Sequence, residues 1–233
     1  MNKKNTIIIS VIIIIIVAGA LFFLKVNKEN VNESAYDYSE LIVFEVKNQD
    51  LNQYEQDKAF NDFLVVREKL NSNPDFFDGW LELGTIHRKI GNYELAEKTW
   101  IYAGQLRPKN SPSFNNLGNL YANYIVDYDR SIANYLIAIE NSEQDVFHPL
   151  YARSLWEIYF YHLKDYDKAE EFMKGRLEKH AENTEYLSLL AYVYVTTDRS
   201  EEAYDLYGKI LEIDPSDEEV KRAYNALKIE LGK

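Results

Sequence analysis

The chain has 233 residues, enough for one domain or a short array of repeats, and it contains no cysteine. The lack of cysteine excludes a disulfide framework, a thiolate nucleophile and a cysteine-based zinc site. Residues 26–233 carry 23 basic and 38 acidic residues, a net charge of −15, which argues against binding to nucleic acid or to an anionic lipid surface.

Residues 1–25 are predicted to form an N-terminal transmembrane anchor. An almost unbroken apolar run extends over residues 7–24, and eighteen helical residues span about 27 Å, close to the hydrocarbon thickness of a bilayer. Lysines flank the run on both sides, so the positive-inside rule only slightly favours a single-pass protein with its remaining residues outside the cytoplasm.

A cleaved signal peptide is the alternative interpretation of this segment. Ala18-Gly19-Ala20 resembles a cleavage site, and two lysines precede the apolar run. Cleavage there would leave four large apolar residues at the new N-terminus, Leu21 to Leu24, and this favours the retained anchor. The polar residues 26–35 that follow are typical of a short linker.

Residues 36–76 are predicted to form a degenerate repeat or an N-terminal cap. Residues 36–47 fit either a short helix or a strand, because their apolar run is too short for its period to be decisive. The helical spacing of apolar residues in 51–71 favours a helix for both parts, and Asn73-Pro74 is expected to end the second one.

Residues 77–110 contain the most informative pattern in the chain. Trp80, Leu83 and His87 follow one another at steps of three and four, which places them on one face of a helix. Gly91-Asn92 predicts the end of that helix, since glycine readily adopts a positive φ. A second helix with Ala96 and Trp100 on its inner face should follow and end before Pro108.

The pattern returns after 34 residues, where Phe114, Leu117, Gly118 and Tyr121 occupy the same places. This spacing resembles the tetratricopeptide repeat family, whose pattern is W-x2-L-G-x2-Y…A-x3-F…P. His87 stands in the place of the family tyrosine and Trp100 in the place of the family phenylalanine. An ordinary helical bundle with accidental spacing is the alternative.

The resemblance implies an all-α fold, a right-handed superhelical array of antiparallel helix hairpins that follows one transmembrane helix. Repeats are expected at 77–110, 111–149, 150–183 and 184–217, with a C-terminal capping helix at 218–233. Gly84 and Gly118 are expected where two helices cross closely, and Gly104 should face outward more. The repeat from 111 carries one extra residue in its turn, near Asp127.

No catalytic motif or cofactor site is found, so we expect neither an enzyme nor a bound cofactor or metal. The four histidines are scattered, and His87 is expected to be a core residue. Asp127-x-Asp129 and Asp165-x-Asp167 are interpreted as helix N-caps rather than as metal ligands.

In the tetratricopeptide repeat family, the first helices of the hairpins line a concave groove that binds protein or peptide partners. The positions carried over to this chain give a candidate groove with a polar middle and an aromatic end, formed by Arg88, Lys89, Asn115, Asn119, Asn123, Tyr151, Tyr161, His162 and Tyr192.

The predicted function is a membrane-tethered interaction module or assembly scaffold. The alternative is an accessory subunit of an envelope or glycan-processing enzyme complex, binding a carbohydrate or a processing enzyme. Recovery of a defined protein partner would favour the first hypothesis, and retention on a glycan would favour the second.

Overall fold

The computed structural model describes residues 38–144 and 147–233. The predicted anchor at 7–24 therefore lies outside the described residues. None of the helices within the described ranges has the length and apolarity needed to cross a bilayer. Residues 41–233 form one compact unit, and the fold below is the fold of that unit.

The unit is built from ten α-helices within the described ranges. In chain order, α1 to α10 span Gln53–Ser72, Phe77–Lys89, Tyr93–Leu106, Pro112–Leu120, Tyr128–Asn141, His148–Glu157, Tyr166–Lys179, Thr184–Thr196, Ser200–Ile213 and Glu218–Glu230. Four antiparallel hairpins follow one another, α2 with α3, α4 with α5, α6 with α7, and α8 with α9. Each helix packs mainly on its neighbours in sequence, as expected for a helical solenoid.

The N-terminal part of the unit differs from the expected helix. A 3-10 turn spans Tyr38–Leu41, and residues 42–52 contain no helix. The backbone N–H groups of Lys47 and Asn48 donate to the carbonyl of Ile90, each at 2.8 Å, at the end of α2. Because the segment finds hydrogen-bond partners on α2, it is held as an extended chain rather than by helical bonds of its own.

His87 makes the other main contact with this segment. It is fully buried, and its Nε2 donates to the carbonyl oxygen of Leu41 at 2.9 Å. Burial lowers the pKa of His87 to about 4, so the ring is neutral at pH 7. The expectation of a core histidine is confirmed, and its single hydrogen bond joins α2 to the N-terminal segment.

Small residues let the two helices of a hairpin approach, as the sequence predicts. A Cβ added at Gly84 would lie 2.7 Å from Cδ1 of Trp100, and one at Gly118 would lie 2.9 Å from the ring of Tyr135. Gly104 does not face outward. It is buried, and an added Cβ would lie 3.3 Å from Phe114 of the next hairpin, so the outward placement was wrong.

The turns inside the four hairpins share one backbone feature, a residue with positive φ. A residue with positive φ ends each first helix, and these are Gly91, Val126, Lys164 and Asp198. In three of the four hairpins the next residue caps the second helix, with its side chain accepting from the backbone three residues on, at Asn92, Asp127 and Asp165. The N-cap interpretation is therefore confirmed for Asp127 and Asp165, while Asp129 and Asp167 lie in the first turns of the same helices.

The extra chain length in the middle hairpins is absorbed by π-helical turns. α4 continues into a π-turn at Tyr121–Ile125 and α6 into one at Ile158–His162. In the second of these, Leu163 N–H donates to the carbonyl of Ile158, five residues back, at 2.9 Å. The predicted extra residue near Asp127 is thus placed inside the end of the helix rather than in a longer loop.

Candidate functional site

All nine groove candidates lie on the first helices of the hairpins or on their π-turns. Arg88 and Lys89 are on α2, the three asparagines are on α4 and its π-turn, and the remaining four are on α6, its π-turn and α8. We use the term first-helix face for the surface that carries Arg88, Asn119, Asn123, Tyr161 and Tyr192. The contacts on this surface divide into a polar part and an aromatic part.

The polar part is organised by Arg88. Its Nη1 donates to Oδ1 of Asn119 at 3.3 Å and to the hydroxyl of Tyr124 at 3.1 Å. The guanidinium carbon also lies 5.4 Å from the centre of the Tyr124 ring, within cation–π range. Arg88 is therefore held between the first and second hairpins by contacts within the chain.

Asn115, Asn119 and Asn123 follow one another at steps of four residues, but two of them already make hydrogen bonds within the chain. The Oδ1 of Asn119 accepts from Arg88, and Nδ2 of Asn123 donates to the backbone carbonyl of Asn119 at 3.2 Å. Asn115 and Asn119 are half-buried, and Asn123 is exposed. Of the three amides, Asn123 is therefore the one best placed to meet a partner.

Tyr135 lies beside the polar part and links it to the third hairpin. Its ring is buried against Gly118, and the nearby side chains of Ser154 and Asn119 favour the ionised form of its hydroxyl, though less strongly than burial opposes it. Burial raises the pKa of Tyr135 to about 12, so the hydroxyl stays protonated across the physiological range. Asn119, Tyr135 and Ser154 belong to α4, α5 and α6 in turn.

The aromatic part rests on two buried rings, Trp156 and Phe160, which stack with their centres 4.5 Å apart. Tyr161 and Tyr192 lie over them and remain 54% and 43% exposed. The Tyr161 ring centre is 5.7 Å from Trp156, and the Tyr192 ring centre is 5.1 Å from Phe160. Burial and the neighbouring Tyr192 hydroxyl raise the pKa of Tyr161.

Not every predicted aromatic is on the surface. Tyr151 is only 5% exposed and belongs to the core, so it offers no contact surface, contrary to the prediction. It lies in the first turn of α6, where inward and outward positions cannot be distinguished by residue type. His162 is exposed, and its Nδ1 lies 3.1 Å from the hydroxyl of Tyr128. Lys89, on α2, is also exposed.

A second group of side chains was missed by the sequence analysis. Glu143, His148 and His180 each place a possible ligand atom within 4.8 Å of the other two. His148 is the first residue of α6 and is buried. The three residues are 5 and 32 positions apart, so no motif spacing could have brought them together in the sequence.

Comparisons with known proteins support the helical-repeat interpretation. The sequence pattern of the tetratricopeptide repeat family matches residues 161–227. No curated protein matches the chain. Several solved structures have the same fold at low sequence identity, and such likenesses show the fold alone.

A tetratricopeptide repeat protein from Parabacteroides merdae has a TM-score of 0.51 at 18% identity, over 84% of this chain and 74% of that one. PilW, a type IV pilus biogenesis factor, has a TM-score of 0.50 at 14% identity, over 77% and 87%. A Pseudomonas aeruginosa pilF structure has a TM-score of 0.50 at 15% identity, over 76% and 85%. The described part of the chain is therefore an all-helical solenoid of the tetratricopeptide-repeat type.

Proposed function

We propose that this chain is a membrane-tethered interaction module that binds a protein or peptide partner on its first-helix face. The observation that carries the proposal is the pair of exposed rings, Tyr161 and Tyr192, on the buried base of Trp156 and Phe160. Exposed tyrosines on a rigid support lose little conformational entropy on binding and are frequent interface hot spots. Helical solenoids use such extended surfaces to bind partners.

The polar part of the face supports the same function. Arg88 is already fixed by Asn119 and Tyr124, so it can present its guanidinium without a further ordering cost. Exposed Asn123 offers both a donor and an acceptor, which suits the backbone of an extended segment. A partner that spans both parts would place an apolar side chain over the tyrosines and its polar backbone near Asn123.

The tether is the second part of the proposal and rests on the sequence. Residues 7–24 have the length and apolarity of a bilayer span, and the acidic remainder of the chain would be repelled by anionic lipid heads. A repeat domain held near a membrane but not adsorbed to it leaves its first-helix face available to a partner.

The test is partner recovery by crosslinking in native membranes that have been washed with alkaline carbonate. Retention of the chain through the wash supports the tether, and its release contradicts it. Tyr192→Ala and Tyr161→Ala should each lower recovery of the partner about 30-fold, the equivalent of about 2 kcal/mol. Tyr54→Ala is the matched control, because Tyr54 is an exposed tyrosine on α1, outside the first-helix face. Equal losses in all three variants, with the fold intact, would show that the partner binds elsewhere.

A further inference from the structure

The ends of three helices bring two imidazoles and one carboxylate together, and none of these residues is among the five that define the first-helix face. Glu143 follows α5, His148 begins α6, and His180 is the C-cap of α7. One nitrogen or oxygen from each lies within 4.8 Å of the other two. The groups thus come from two successive hairpins and meet where the chain departs most from the 34-residue spacing.

One ring nitrogen of His148 is hydrogen-bonded to the backbone, and the other is available to a ligand. It is only 3% exposed, and its Nδ1 lies 3.1 Å from the carbonyl oxygen of Ile139. A carbonyl can only accept, so Nδ1 carries the proton and Nε2 keeps its lone pair. Nε2 is buried and has no hydrogen-bond partner among the described residues. Metal-binding histidines are commonly held by this kind of bond from the other ring nitrogen to a backbone carbonyl.

The other two groups are already close to each other. His180 Nε2 lies 3.1 Å from Oε1 of Glu143, and the two histidine ring centres are 5.1 Å apart. Two cations also approach the carboxylate, Lys179 at 3.3 Å from Oε1 and Arg176 at 3.7 Å from Oε2. Lys179 is more than half exposed and can move into solvent, whereas the less exposed Arg176 can continue to orient the second oxygen.

We propose that Glu143, His148 and His180 form a binding site for a divalent transition-metal ion such as Zn²⁺. Two imidazoles with one carboxylate suit Zn²⁺, Co²⁺ or Ni²⁺, whereas Mg²⁺ and Ca²⁺ prefer sets made of oxygen ligands. Three protein ligands leave one tetrahedral position for water. The ion would give the unpartnered Nε2 a ligand bond and would tie the end of α5 to α6 and α7.

The experiment uses the full-length chain without an affinity tag, in a mild detergent, with ZnCl₂ as the probe. Calorimetry should find one equivalent of Zn²⁺ bound per chain. Thermal unfolding should shift upward by at least about 5 °C when Zn²⁺ is at 100 times its Kd. MgCl₂ at the same concentration should produce no shift.

Three variants separate this site from general binding to an acidic surface. Glu143→Gln and His180→Asn should each weaken Zn²⁺ binding at least about 10-fold. Neither residue is fully buried, so both variants should fold, which circular dichroism would verify. Glu140→Gln is the matched control, because Glu140 is an exposed glutamate one turn earlier on α5, and it should bind as the unaltered chain does.

Two results would overturn the proposal. One is the absence of Zn²⁺ binding to the folded, unaltered chain. The other is equal binding by the unaltered chain, Glu143→Gln and His180→Asn, which would place the ion on other carboxylates.

Discussion

At the scale of single residues, His87 shows how one substitution in a repeat pattern changes the neighbouring structure. A tyrosine is usual at this place in the family pattern, and here a buried imidazole donates its one N–H to Leu41. Its Nδ1 is buried with no hydrogen-bond partner in the described ranges, so a second proton would have no acceptor. The N-terminal segment is therefore held by a group that must stay neutral.

This arrangement predicts a pH dependence with a definite sign. The folded-state pKa of His87 is about 4, while an unfolded histidine titrates near 6.5, so the unfolded chain binds the proton first as the pH falls. Stability should be fully present above pH 6.5 and should decline toward pH 4. His87→Gln keeps a donor for Leu41 but does not titrate. Between pH 7 and pH 5, the unaltered chain should lose about 2 kcal/mol more unfolding free energy than His87→Gln.

Urea denaturation at the two pH values measures this difference. His148, whose pKa is also lowered, chiefly by burial, contributes equally to both proteins and cancels in the comparison. A pH profile that is identical in both proteins would show that His87 can be protonated in the fold.

At the scale of helices and turns, the four hairpins each place a positive-φ residue in the turn, but the residue type differs. The positive-φ position is occupied by Gly91, Val126, Lys164 and Asp198 in succession. A β-branched side chain is the least suited of these to the left-handed region, where it crowds the backbone. Val126 has φ of 60° and is 62% exposed, so little packing offsets this strain.

Val126→Gly is therefore expected to stabilise the chain by about 0.5–1 kcal/mol, since relief of the strain exceeds the extra entropy of glycine in the unfolded state. Asp198→Gly is the matched control, because aspartate tolerates the left-handed region and the same change should gain nothing there. Thermal unfolding of both variants measures the effect. A larger gain for Asp198→Gly than for Val126→Gly would contradict the account of this turn.

The helices of residues 77–231 could be predicted from the sequence because period, turn residues and caps all agree there. Trp80 and Ala96 mark a hairpin whose turn contains Gly91, and the structure has that hairpin. Residues 42–52 could not be predicted, because the hydrogen bonds that hold them come from Ile90, more than 40 positions away. In that segment, hydrogen bonds to the distant Ile90 determine the conformation, and the local preference for a helix does not.

At the scale of the whole molecule, the sequence predicted which helices carry the groove candidates but not how exposed each candidate is. The family resemblance placed the candidates on the first helices, where they lie, but Tyr151 is buried and Asn119 is engaged by Arg88. Whether a ring at the edge of an amphipathic helix is covered depends on the neighbouring hairpin. The cluster of Glu143, His148 and His180 also depends on how successive hairpins stack, which no single repeat encodes.

Site-specific photo-crosslinking in native membranes tests the central claim, that a partner binds the first-helix face, most directly. A photoreactive residue placed at Asn123 or at Tyr192 should yield a crosslinked product with the same partner. The same residue at Glu171 on α7 or at Lys209 on α9, both exposed on second helices, should yield none. The account predicts one partner captured from both positions on the first-helix face. Capture of that partner from Glu171 and Lys209, with none from Asn123 and Tyr192, would contradict it.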